Sequence, residues 1–83
     1  NAVWPMARAA MKEIDAGLPA DMRGADKALL EAQRAWITFR DAECAAAGWP
    51  MRGGTAEPLL IYGCLYTLTQ QRTADLRALA EGY

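Results

Sequence analysis

Leu29-Leu30-Glu31-Ala32-Gln33-Arg34-Ala35-Trp36-Ile37-Thr38-Phe39-Arg40-Asp41-Ala42-Glu43-Cys44 carries the strongest periodicity in the chain. Leu29, Leu30, Gln33, Trp36, Ile37, Arg40, Cys44 and Ala47 recur at spacings of three and four and share one face of a helix. Lys27, Glu31, Arg34, Thr38 and Asp41 fall mostly on the other sides. Asp26 is a candidate cap for the start, because a short carboxylate there accepts the first unpaired N–H groups. Asp21 is the other candidate, with Gly24 then inside the helix at a cost. Gly48-Trp49-Pro50 ends the segment, because proline disfavours helical backbone in the residue before it. The stretch predicts a helix over about 25–47.

Two further segments carry the same period. Val3, Ala7, Ala10 and Ile14 fall on one side of a first helix, flanked by Met6 and Met11. Pro5 suits its first turn, where a missing N–H costs nothing, and Gly17-Leu18-Pro19 stops it, so this helix covers about 2–16. Downstream, Thr55 reads as a cap, Glu57 suits the positive helix end and Pro58 sits in the first turn. Ile61, Leu65, Leu68, Arg72, Leu76 and Leu79 then share one face of a helix ending near about 81. No stretch alternates apolar and polar residues over strand length, so a sheet is not expected. The reading is all-α: a three-helix antiparallel hairpin or bundle, forming a single helical domain over residues 1–83.

Composition narrows the function. The 83 residues are 53% hydrophobic, too many for a disordered segment, although alanine supplies much of that fraction. Nine basic residues face ten acidic ones, and they are spread along the chain. A nucleic-acid partner, which demands a concentrated basic face, is therefore not expected. The absence of histidine removes the commonest general base and metal ligand. Two cysteines cannot make a four-ligand zinc site, and we expect neither metal nor cofactor. No apolar run approaches the roughly 20 residues of a membrane span. The abrupt start at Asn1-Ala2-Val3-Trp4, without a leader, reads as a processed form, a trimmed form or a fragment.

Cys44 and Cys64 lie 20 positions apart, one near the end of the second helix and one in the first half of the third. In an antiparallel hairpin the two can meet, and closing that loop would stabilise the fold by roughly 3 kcal/mol. Cys64 lies deeper in its helix than Cys44 does in its own. The third helix must therefore overhang the second, or one boundary must shift by a few residues. We expect a Cys44–Cys64 disulfide, which implies an oxidising compartment. Two buried free thiols are the alternative.

Arg40 and Arg72 fall within the apolar stripes of their helices, where a charge is costly unless paired. Gln33 shares the stripe of Arg40, and Asp41, Glu43, Asp75 and backbone carbonyls are the candidate partners. One reading is a polar network of Gln33, Arg40, Asp41 and Arg72 that fixes helix register. The other is recognition of an acidic group. Asp41 and Glu43, two positions apart, point in different directions, and no nucleophile or phosphate loop accompanies them, so we expect no catalysis. Between the helices, Gly48 to Gly54 presents Trp49, Met51 and Arg52 as a candidate contact surface, Trp and Arg being enriched at binding hot spots. The competing reading has Trp49 folded back over the hairpin end. Tyr62 and Tyr66, one turn apart, are expected to pack against a neighbouring helix, an aromatic face being the alternative.

Several runs carry a resemblance: Ala32-Gln33-Arg34-Ala35-Trp36-Ile37 with Phe39-Arg40-Asp41-Ala42-Glu43-Cys44, then Gly53-Gly54-Thr55, Ile61-Tyr62-Gly63-Cys64-Leu65 and Thr69-Gln70-Gln71-Arg72-Thr73-Ala74-Asp75-Leu76. Over roughly residues 26–79 the chain resembles the LprI-type lysozyme-inhibitor N-terminal domain, a bacterial secreted family. The resemblance implies an exported helical domain, periplasmic or secreted, with Cys44 and Cys64 as its paired cysteines. It also implies a protein partner, with lysozyme the partner in at least one branch. The family has a further cysteine-containing helical stretch before the position matching Asn1. We expect that stretch to be lacking here, with an apolar face of the first helix as its docking place. The leading expectation is thus an exported binding protein that inhibits lysozyme. The alternative is a structural or interaction module of a larger envelope protein, which admits a homo-oligomer through a helical face.

Overall fold

A computed structural model describes residues 2–82. Among the described residues are three α-helices: α1 (Val3–Ala16), α2 (Ala25–Gly48) and α3 (Glu57–Glu81). Single 3-10 turns lie at Ala20–Met22 and Trp49–Met51, and no strand occurs among the described residues. The helix limits agree with the apolar periods and with the stop at Gly17, whereas at Gly48-Trp49-Pro50 α2 gives way to a 3-10 turn and Trp49, ahead of Pro50, keeps helical dihedrals.

The caps differ from expectation. Gly24, not Asp26 or Asp21, occupies the position before α2, and no side chain of that segment caps the helix. The acceptor is Asp15, from the last turn of α1. Its Oδ1 receives the N–H groups of Gly24 (2.9 Å) and Ala25 (2.8 Å), and its Oδ2 that of Asp26 (3.2 Å). One carboxylate thus satisfies the free donors of the next helix and fixes the angle between the two. Asp26 turns instead to α1, accepting from Arg8 Nε (3.0 Å) and Nη2 (2.8 Å). Thr55 does not cap α3 either; the preceding position is Ala56, no side chain caps the helix, and Glu57 reaches back to accept from the Gly53 N–H in the loop before it.

Three depressed carboxyl pKa values follow from these contacts. Asp15 is lowered by the N–H groups of Gly24, Ala25 and Asp26; Asp26 by its hydrogen bond to Arg8; Glu57 by the Gly53 N–H and then Arg52. A carboxylate with a folded value below its unfolded one stabilises the fold above the unfolded value. That contribution is lost as pH falls through the folded value. We therefore expect the urea midpoint to hold near neutrality and to fall on acidification below about pH 4. Asp15→Asn should flatten part of that fall. An unchanged midpoint down to about pH 2.5 would contradict the assignment.

α1 packs against both other helices, but it is short. Its 14 residues span about 21 Å, against roughly 36 Å for α2. It therefore covers only the first half of α2 and the second half of α3. There Val3, Ala7, Leu29 and Leu76 are buried together, with Trp4, Met11, Leu79 and Ala80 packed around them. Ile14 of the expected α1 stripe and Met6 at its flank remain about half exposed. The other half of the hairpin projects as a two-helix arm. The molecule is accordingly a rod of 55 × 22 × 18 Å, with a radius of gyration of 16.5 Å. A compact chain of this length would measure about 12 Å.

The arm is held by a Cys44–Cys64 disulfide with a Cα–Cα distance of 5.3 Å. The offset between the two cysteines is absorbed by a shifted boundary. Gly48 and Trp49 keep right-handed helical dihedrals, and the 3-10 turn carries the helical path on to Met51. Cys44 then lies as many residues from the end of this path as Cys64 lies from the start of α3. Just beyond, the helices approach closely at Gly48, where an added Cβ would fall 2.7 Å from Ile61 Cγ1. A side chain there would force the arm apart.

Candidate functional site

The hairpin tip is formed by Trp49 to Glu57. Pro50 limits the backbone to one 3-10 turn, and Gly53 takes φ +81°, a left-handed conformation that favours glycine. Glu57 organises the tip with both carboxylate oxygens. Oε1 accepts from the Gly53 N–H (3.1 Å), and Oε2 accepts from Arg52 Nη1 (3.0 Å). Arg52 in turn lies over the Trp49 ring, 4.5 Å from its centroid. Trp49 does not fold back over the hairpin end. It is 60% exposed, and Met51 is 51% exposed beside it. The tip therefore presents an indole and a thioether on a frame pinned by an ion pair, a cation–π contact, the Glu57–Gly53 hydrogen bond and the backbone turns that close from Arg52 to Trp49, Gly54 to Met51 and Glu57 to Gly54.

The same arm exposes a stripe of α3. Leu59, Tyr62 and Tyr66 follow helical spacing and are 72%, 68% and 67% exposed. This overturns the expectation that the tyrosines pack against a neighbouring helix. The reason is the length of α1, which stops short of this half of the hairpin.

The polar residues of the apolar stripes come together only in part. Arg72 Nε donates to Gln33 Oε1 (2.8 Å), joining α3 to α2 across 39 residues of sequence. Arg40 donates from Nε (3.0 Å) and Nη2 (2.9 Å) to its chain neighbour Asp41, at the surface. The two pairs share no hydrogen bond. They meet at the Trp36 ring, with Arg40 5.2 Å and Arg72 5.9 Å from its centroid. Sequence reasoning assigned Trp36 to the apolar stripe and missed its use as a platform for two cations. It also missed Asp15 and the Arg8–Asp26 pair, whose partners lie 9 to 18 positions away with no local signature. Among the described residues no group of three or more His, Cys, Asp or Glu could hold a metal ion. No described helix is long and apolar enough to cross a membrane.

The arrangement suits adhesion. Exposed aromatic and thioether groups beside an arginine are the side chains that dominate protein interfaces. Comparison with known proteins identifies the family. Residues 1–76 match the family described as Lysozyme inhibitor LprI. An uncharacterized protein of Rhizobium meliloti (strain 1021) is 46% identical over 84 residues, which cover 98% of this chain and 60% of that protein. The chain thus spans about three fifths of the length of the curated relative it matches. No solved structure gives a significant match. On the match across nearly its whole length, together with the all-helical fold and the disulfide between α2 and α3, the chain belongs to the LprI lysozyme-inhibitor family.

Proposed function

We propose that this chain is an exported bacterial binding domain, periplasmic or secreted, that inhibits lysozyme by docking its hairpin tip against the enzyme. The observation that carries the reading is the tip itself: Trp49 and Met51 stand exposed while Arg52 and Glu57 hold their frame. Preorganisation matters because every side chain ordered on binding subtracts from affinity. A tip already fixed by Glu57 loses less freedom than a mobile loop. The end of a rod 22 × 18 Å in section is also narrow enough to approach a cleft. Family membership supports a protein partner. The disulfide supports an oxidising compartment outside the cytoplasm. The net charge of −1 gives little long-range steering towards a basic enzyme, so contact rather than attraction must supply the affinity. The domain carries no reaction of its own in this reading; it acts by occupancy.

Titration of the purified chain against lysozyme activity tests the proposal. Activity should fall to a stoichiometric end point. Trp49→Ala should weaken inhibition roughly 30-fold or more, in line with a hot-spot truncation of about 2 kcal/mol. Glu57→Gln should weaken it less, by loosening the frame. Full lysozyme activity at large molar excess would remove the inhibitory function. Full inhibition by the Trp49 variant would remove the tip as its site.

A further inference from the structure

A second concave site lies at the other half of the hairpin, away from the tip. It opens where the start of α1 meets α2 and α3. Trp4, Gln33, Trp36, Arg40, Thr69 and Arg72 contribute to its walls, and its volume is about 240 Å³. That is the space of roughly eight waters.

Its electrostatics are one-sided. Two guanidinium groups line it and no carboxylate does. Asp41 answers Arg40 from the outer surface and does not line the cleft. Arg72 uses Nε on Gln33, while its Nη2 is buried without a hydrogen-bond partner among the described residues. A buried guanidinium N–H without an acceptor costs its full desolvation. Two cations near one indole also repel each other, and within the cleft only the ring compensates them, Asp41 lying outside it. With Arg40 answered by Asp41, the cleft wall is left short of one negative charge. A carboxylate supplies it, and the planar fork of arginine matches its geometry.

We propose that this cleft binds a small carboxylate-bearing ligand. The carboxylate is received by Arg72 and Arg40, and the body of the ligand lies along the Trp4 and Trp36 rings. The Gln33 amide N–H2, which has no partner among the described residues, adds a donor for the same carboxylate or for a hydroxyl on the ligand. The site is independent of the tip and of lysozyme inhibition.

An NMR titration of the whole chain tests it, with sodium glucuronate as a sugar acid, L-glutamate as an amino acid, and glucose as the neutral control. Sodium chloride is matched throughout. Saturable shifts of the Trp4 and Trp36 indole N–H and the Arg72 Nε–H are expected with one or both acids and none with glucose. A response to glucuronate alone identifies a hydroxylated body; a response to both identifies the carboxylate as the whole determinant. Arg40→Gln, at a partly exposed position whose hydrogen bonds go only to surface Asp41, should fold normally and weaken binding about tenfold. Absence of saturation with either acid up to about 50 mM would overturn the proposal. Equal shifts with glucose, or undiminished binding by the Arg40 variant, would do the same.

Discussion

Reduction of the Cys44–Cys64 bond is expected to lower global stability by about 3 kcal/mol. The figure follows from the loop of 20 positions that the bond closes, whose freedom returns to the unfolded chain once the bond is cut. For so small a domain this is a large share of the total. The loss should also be uneven. Cys44 is buried at the contact of α2 with α3, but the arm around it has no third helix. Hydrogen exchange over residues 41–65 should therefore rise far more than exchange around Leu29 and Leu76, which can open only with the three-helix end. Urea unfolding with and without reductant measures the first effect, and amide exchange the second. A Cys44→Ala, Cys64→Ala double variant avoids side reactions of free thiols. An unchanged midpoint in both preparations would show that the arm is held by packing alone. The tip depends on the same bond, so reduced protein should also bind any tip partner more weakly.

Leu76→Ala is expected to destabilise the fold by about 3 kcal/mol. Leu76 belongs to the small buried cluster with Val3, Ala7 and Leu29 at the meeting of the three helices. A rod has little second layer to close over a deleted side chain, and the wall opposite Leu76 is made by α1, which is held by few other buried groups. Truncation there should release α1 as well as open a cavity. Thermal unfolding would show a lower, broader transition, and amides of α1 would lose protection first. Leu59→Ala serves as the control. Leu59 is an exposed side chain on the arm, and its loss should change stability by no more than about 0.5 kcal/mol. If both variants behaved alike, the core would not lie where these helices meet.

The exposed surface of the arm and the limits of the core have one origin. A 14-residue helix cannot cover a hairpin of 24- and 25-residue helices. The uncovered half leaves Leu59, Tyr62 and Tyr66 in contact with solvent, and the total accessible surface is 5834 Å². A compact monomer of this mass would expose about 4,900 Å². Surplus apolar surface of this kind marks binding faces, and it lies on the same arm as the tip.

The three helices were legible in the residues themselves. Leu29 to Cys44 repeats at three and four, Pro5 and Pro58 sit where only a first turn tolerates them, Gly17 stops α1, and Gly48-Trp49-Pro50 marks where α2 gives way to a 3-10 turn. Those signals are local, because helix formation is decided by neighbours within one or two turns. The pairing of Cys44 with Cys64 was legible too, since an antiparallel hairpin leaves two cysteines one natural partner. Everything that required one helix to find another was decided in three dimensions. Asp15 caps a helix it does not belong to, Gln33 meets Arg72 from 39 positions away, and Trp36 stands beneath two arginines. Apolar period tells which face of a helix is buried, but not how far a neighbouring helix reaches along it. That reach, set by packing along the rod axis, determined that Tyr62 and Tyr66 face water and that Arg72 Nη2 is left without an acceptor.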